Sequence, residues 1–226
     1  MEKQFYSVAI DGPAGAGKST IARRAAERMR FVYVDTGAIY RTIGYAAFSN
    51  GITQENTAGI AAMLPSLRVA LRWENGLQHM DLNDVDVTAH IRRPEISTYA
   101  SVCAAIPEVR AFLLDTQREI AKTHSVVMDG RDIGTVVLPQ ADVKIFLTAS
   151  AEIRAKRRYL ELQEKGAPDT YEAVLADMME RDRRDTGRTI APLKQAPDAI
   201  LIDTTALNLE ESIDAVVRTI LEKITP

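Results

Sequence analysis

Gly12-Pro13-Ala14-Gly15-Ala16-Gly17-Lys18-Ser19 fits the pattern G-x-x-x-x-G-K-[ST] in full. Each residue type has a chemical reason. Gly12, Gly15 and Gly17 let the backbone curl so that successive N–H groups converge on phosphate oxygens. The helix that follows, entered through Ser19 and Thr20, adds the positive end of its dipole. Lys18 would reach the β- and γ-phosphates, and the Ser19 hydroxyl is a candidate ligand for Mg²⁺. The bare pattern arises by chance in roughly one chain in a hundred of this length, so its context matters. Here an apolar run precedes it and a helical pattern follows, as a phosphate loop requires. The motif implies binding of a nucleoside triphosphate and leaves the reaction open.

Transfer of a phosphoryl group to an acceptor that is itself a phosphate sets an electrostatic problem. Two polyanions repel unless fixed cations lie between them. Arginine answers this best, because its planar fork grips phosphate oxygens and keeps its charge. An ionised phosphate acceptor needs no general base. The scattered His79, His90 and His124 therefore need no role. Arg41 follows Asp35-Thr36-Gly37, and Arg131 follows a strand end, where open α/β sheets bind ligands. Arg181, Asp185 and Arg188 are spaced to share one helical face. Arg154, Arg157 and Arg158 cluster upstream of them. Taken singly, each also reads as a solvated charge or a surface ion pair of little worth. Composition and spacing leave that choice open.

These residues need a scaffold to hold them. Short apolar runs at Phe5–Ile10, Phe31–Val34, Ser125–Met128, Val143–Leu147 and Ile200–Ile202 predict five strands. Helical patterns lie between them: Ile21, Ala25 and Met29 after the phosphate loop, Ile39, Tyr40 and Ile43 after Asp35, and a closing helix over Leu209–Ile224. The alternation predicts an α/β fold with a five-stranded parallel sheet flanked by helices. Residues 66–92 differ. Val69, Leu71 and Trp73 alternate with polar residues up to Asn75-Gly76, a strong hairpin signal that pairs Leu71 with Met80 and Val69 with Leu82. A small antiparallel unit is thus inserted in the α/β chain. Helices are predicted from near Pro94 and from Pro107. The second has an apolar stripe of Val109, Phe112, Leu113, Thr116 and Ile120, with Arg110 off it. A charged helical region runs from Ser150 to about Arg184, broken at Gly166-Ala167-Pro168.

The chain has 226 residues with 46% hydrophobic content, enough for one compact α/β core with insertions. A formal net charge of -3 argues against a general nucleic-acid binder. The single cysteine, Cys103, excludes an internal disulfide. No apolar run approaches membrane-span length, and Phe5–Ile10 is too short for a signal-peptide core. A cytoplasmic enzyme, with no membrane partner, is expected.

Four segments together resemble the bacterial cytidylate kinases: Thr36-Gly37-Ala38-Ile39-Tyr40-Arg41, Asp129-Gly130-Arg131-Asp132-Ile133-Gly134-Thr135-Val136-Val137, Lys144–Ser150, and Glu180-Arg181-Asp182 through Arg188 to Ala191-Pro192-Leu193. The resemblance runs in order along nearly the whole chain, and its second segment is far more specific than the phosphate loop. It implies ATP-dependent phosphorylation of CMP, and of dCMP, to the diphosphate, by a monomer. Gly12, Pro13, Ala14, Gly15, Ala16, Gly17, Lys18, Ser19 and Thr20 would hold ATP and Mg²⁺. Arg41, Arg110 and Arg131 would clamp the CMP phosphate. Ser101, Arg110 and Asp132 would read cytosine, with Thr36 close to base and sugar. Arg181 and Asp185 would hold the sugar hydroxyls, and Arg188 would bridge the phosphates. Lys18, Arg131 and Arg188 would stabilise the transferring group. Arg157, with Arg154 and Arg158, would belong to a short lid over ATP. The implied division is a core of residues 1–35, 106–150 and 189–226, a monophosphate-binding insertion at 36–105, and a lid region at 151–188. Thr36 stands where the family usually has serine, which leaves ribo-versus-deoxy preference open. Asp129 reads equally as a magnesium-orienting acid or a capping carboxylate. Two other functions stay open on the residues alone. One is a P-loop kinase for UMP, AMP or shikimate. The other is a GTP-dependent switch, although the chain has no N-K-x-D guanine-reading motif.

Overall fold

The structure, a computed structural model, describes residues 4–164 and 166–224. Five strands form a parallel sheet: β1 (Ser7–Asp11), β2 (Val32–Asp35), β6 (Val126–Gly130), β7 (Val143–Thr148) and β8 (Ile200–Asp203), in spatial order β2-β6-β1-β7-β8. Three more, β3 (Val69–Glu74), β4 (Leu77–Leu82) and β5 (Val85–Asp86), form the inserted antiparallel sheet. Its hairpin has the predicted register, Val69 opposite Leu82 and Leu71 opposite Met80. The predicted parallel strands all exist, shifted by a residue or two.

The pleat assigns alternate residues of each central strand to opposite faces. Val8 and Ile10 of β1, with Val127, join one apolar cluster, and Ala9, with Val126 and Met128, joins the other. On the first face lie α1 (Lys18–Met29) and α8 (Leu209–Ile224), the latter burying Ile213, Val216 and Ile220. Each such side chain contributes about 1.5–3 kcal/mol by leaving water. On the second face lie α2 (Thr36–Ser49), α4 (Pro94–Cys103) and α5 (Pro107–Thr123). The short α3 (Thr57–Met63) and the inserted sheet extend this cluster through Ile60 and Met80. α6 (Ala151–Glu164) and α7 (Tyr171–Thr186) form a hairpin packed on Ala155, Val174 and Met178.

Three expectations are corrected. The buried stripe of α5 contains Gln117, while Thr116 is only half-buried. Arg110, expected off that stripe, is buried in it, because its guanidinium finds a carboxylate partner inside. α7 ends at Thr186, so Arg188 shares no helical face with Arg181 and Asp185. It reaches Asp185 from the coil that follows.

Candidate active site

The C-terminal edges of β1, β2 and β6 open onto one cavity of about 300 Å³. The phosphate loop leaves β1 at Gly12. A Cβ there would lie 1.9 Å from the Leu147 carbonyl oxygen, so only glycine fits between the two strands. Gly15 adopts φ +72°, with the Met178 side chain of α7 against it. Ala14, Gly15, Gly17, Lys18, Ser19 and Thr20 line the cavity. Gly12, Pro13 and Ala16 are buried and form the turn around them. Lys18 is 5% exposed and donates from Nζ to the Pro13 carbonyl at 2.7 Å. Burial first, then the neighbouring Arg131 and Arg181, hold its pKa well below the ordinary lysine value.

Beside the loop, Asp129 at the end of β6 lies in register with Asp35 at the end of β2. Its carboxylate accepts from the Ser19 hydroxyl at 3.0 Å and from the Tyr33 hydroxyl at 2.8 Å. Burial, and the second carboxylate at Asp35, push Asp129 up to about 6. Asp35 also caps α2, accepting from the Ala38 N–H at 2.9 Å. That cap sets the direction in which α2 presents Thr36, Tyr40 and Arg41 to the cavity. The Thr36 hydroxyl is spent inside the protein, donating to the Asp129 carbonyl at 2.7 Å.

Across the cavity, α4 supplies Ser101 and α5 supplies Arg110. Arg110 pairs with Asp132, donates to the Ala104 carbonyl at 3.2 Å and lies over the Tyr40 ring at 5.8 Å. Burial raises the Asp132 pKa despite that partner. Asp185, 1% exposed, accepts from Arg131 Nε at 2.8 Å and from Arg188. Burial acts to raise its pKa, but these arginines outweigh it and hold the carboxyl low. Arg181 lies next to them with its Nε buried and unpaired. Burial, then Arg131, bring it down to about 10, with Arg41 adding to the effect. Arg131 thus adds to the effect of burial on both Lys18 and Arg181, while Asp129 and Asp185 oppose it.

Every substrate-side residue expected from the sequence lines this one cavity: Thr36, Arg41, Ser101, Arg110, Arg131, Asp132, Arg181, Asp185 and Arg188. Arg157 and Arg158 also line it, and Arg157 donates to the Thr204 carbonyl at 2.8 Å. Arg154 does not line it. It is 5% exposed and donates to the Ala14 and Ala149 carbonyls at 2.9 Å each, and it pairs with Asp182 at 2.7 Å. It is a strut between the phosphate loop and α7 rather than part of a lid face.

Sequence reasoning missed several contributors. Asp11, 4% exposed, accepts from the N–H groups of Ile133 and Gly134 at 2.8 Å each. It thereby holds the turn that carries Arg131 and Asp132 against the strand that carries the phosphate loop. Tyr40 and Glu161 line the cavity, and Asp35 reaches it through its cap. The first two lay in plain view as a tyrosine next to Arg41 and an acid after Arg158, but neither type announces a role at that spacing. Cys103 is buried, and burial pushes its thiol up to about 12, so it is chemically quiet. No helix among the described residues is long and apolar enough to cross a membrane.

Comparison with known proteins places the chain in a family. The family model described as cytidylate kinase matches residues 8–224. A cytidylate kinase of Thermosipho melanesiensis is 49% identical over 96% of this chain and 97% of its own. One from Exiguobacterium is 46% identical over 97% of this chain and 98% of its own. A solved shikimate kinase from Acinetobacter baumannii aligns over 99% of this chain and 97% of its own, with a TM-score of 0.46 at 16% identity. A phosphate loop facing buried arginines, on a chain matched end to end at nearly half its positions, has one assignment: the chain belongs to the cytidylate kinase family.

Proposed function

We propose that the protein transfers the γ-phosphoryl group of ATP to CMP, and to dCMP, releasing ADP and the nucleoside diphosphate. The observation that carries this reading is the convergence of Lys18, from the phosphate loop, with Arg41, Arg110, Arg131, Arg181 and Arg188 on one cavity. Lys18 of the donor loop is buried, and Arg131 and Arg181 of the acceptor face are half-buried beside it. Such an arrangement is costly in the empty protein and is relieved when two phosphate groups enter between them. An oxygen of the CMP phosphate attacks the γ-phosphorus, and the bond from that phosphorus to the bridging oxygen of ADP breaks. Both reactants are already ionised, so no side chain has to move a proton. Lys18, Arg131 and Arg188 stabilise the charge spread over the transferring group. Arg41 and Arg110 join Arg131 on the CMP phosphate, and Arg157 and Arg158 close over ATP and exclude water.

The residues around Ser19 suit Mg²⁺, a hard cation that prefers oxygen ligands and binds through few protein groups plus substrate phosphates. Ser19 Oγ would hold it, with Asp129 and Asp35 behind. When bound, the ion neutralises the donor phosphates. For the base, Asp132 accepts the cytosine amino group, and Arg110 and Ser101 meet its acceptors. Uracil offers an acceptor where cytosine has the amino donor, so it would leave the buried carboxylate facing an oxygen. Arg181 and Asp185 bind the sugar. The core comprises residues 1–35, 106–150 and 189–226, the monophosphate-binding insertion residues 36–105, and the lid region residues 151–188, within which Arg154 faces the phosphate loop.

The test is ATP turnover with CMP, dCMP, UMP, AMP, GMP and shikimate as acceptors. Rapid turnover confined to CMP and dCMP is expected. Preference for another acceptor would overturn the base-pocket roles of Ser101, Arg110 and Asp132. No turnover by protein that binds ATP would overturn the enzyme reading itself.

A further inference from the structure

None of the residues of β3, β4 and β5 lines the central cavity. What the inserted sheet touches is the outer edge of β2. Among the described residues that strand pairs with β6 alone, so its other edge carries backbone groups with no ladder partner there. Two side chains of the hairpin take the place of a sixth strand. Trp73 Nε1 donates to the Tyr33 carbonyl at 3.0 Å. Gln78 Oε1 accepts the Asp35 N–H at 2.7 Å, and Gln78 Nε2 donates to the Asp35 carbonyl at 3.2 Å. Trp73 and Gln78 are direct cross-strand partners in the hairpin. They grip the strand as one unit, and the Asn75-Gly76 turn sets their register.

The gripped residues are the ones on which the site depends. Asp35 caps α2 through Ala38 and approaches Arg41 at 3.9 Å, and its peptide leads directly into Thr36. The Tyr33 hydroxyl holds Asp129. A primary amide satisfies both backbone groups of one residue at once, because it is a donor and an acceptor in one plane. No carboxylate or aliphatic side chain of that length does so.

We propose that Gln78 is a positioning residue for the CMP phosphate: from outside the cavity it fixes the β2–α2 junction, and so the placement of Thr36 and Arg41. The inserted sheet thereby acts on the acceptor through the sheet edge rather than by contact. The inference rests on the cytidylate kinase reading.

The experiment compares wild type, Gln78→Leu and Gln78→Glu in steady-state turnover, varying CMP and ATP separately, together with thermal melts. Gln78→Leu removes both hydrogen bonds at similar volume. KM for CMP is expected to rise about tenfold, with KM for ATP changed by less than about twofold and cytosine-over-uracil preference retained. Gln78→Glu keeps the acceptor and loses the donor, so its KM for CMP is expected to fall between the two. A lower melting temperature with unchanged KM for CMP would reduce Gln78 to a structural role and overturn the inference. An equal rise in both KM values would overturn it too, because the effect would then not be on the acceptor. If Gln78→Leu does not fold, Gln78→Glu decides by the same criteria. Wild type inactive with CMP would sink the functional reading instead, so the two failures are told apart.

Discussion

Two charge clusters in this molecule are near mirror images. In the cavity, one carboxylate, Asp185, is held between Arg131 and Arg188 and is 1% exposed. On the outer face of the inserted sheet, one guanidinium, Arg72, is held among Glu74, Asp81 and Asp86, and the His79 ring approaches Asp86 at 3.1 Å. The residue types are the same and the distances comparable. The difference is the solvent. Water and salt screen the outer cluster, so its pairs contribute little beyond solubility and a tidy strand edge. In the cavity Asp185 is withdrawn from water and faces two half-buried arginines, so the cluster carries one cation more than its carboxylate balances. Burial, rather than the presence of an ion pair, marks the functional cluster.

Removing one arginine from each cluster tests whether burial decides function. Arg131→Ala or Arg188→Ala should lower kcat by roughly a thousandfold. Arg72→Ala should leave kcat within about twofold and the melting temperature nearly unchanged. Comparable losses in the two clusters would show that burial is the wrong criterion. A second contrast separates Arg154, buried against the phosphate loop, from Arg158 in the cavity wall. Arg154→Met leaves Asp182 and the Ala14 carbonyl without their partner and should cost about 3 kcal/mol in urea melts. Arg158→Ala should cost almost nothing in stability and act on KM for ATP.

Selectivity gives a smaller effect. Asp132→Asn places an amide donor where the cytosine amino group arrives, and should cut the preference for CMP over UMP by roughly a hundredfold. The ratio of kcat/KM for the two acceptors reads it directly.

The smallest expected effect concerns Asp11. Burial, opposed only in part by its two backbone N–H bonds and aided by Asp132, raises its pKa to about 6. A carboxyl raised in the folded state contributes stability that is complete below its unfolded pKa and lost as pH rises through the folded one. Asp11→Asn lacks that loss. Relative to wild type it should gain about 2 kcal/mol between pH 4.5 and 7.5, while its KM for CMP rises as the Arg131–Asp132 turn loosens. A stability difference that does not change with pH would show that Asp11 is ionised at no cost.

The parts legible in the sequence were local ones. The phosphate loop is contiguous, and the steric need for Gly12 is built into the pattern. The Asn75-Gly76 hairpin has its register fixed by two residues, which the structure reproduces pair by pair. Helix starts at Asp35, Pro94 and Pro107 follow from capping and fixed φ. The arginines of the acceptor face were readable only through the likeness to a family. Arg41, Arg131 and Arg188 lie far apart in the chain, and spacing cannot distinguish a buried guanidinium from a solvated one.

The phosphate-loop motif, the strand–helix alternation and the inserted hairpin were therefore readable from the sequence alone, because each is encoded within one or two turns of chain. Tertiary structure alone decided that Arg110 is buried rather than off its helix stripe, that Arg154 is a strut rather than a lid residue, and that Arg188 meets Asp185 from beyond the helix end. It also decided that Asp11 accepts from the Ile133 and Gly134 N–H groups and that Gln78 bonds both backbone groups of Asp35, neither residue lining the main cavity. Those outcomes depend on strand order and on which backbone groups the sheet leaves unpaired, and both are properties of the packed sheet that no single segment carries.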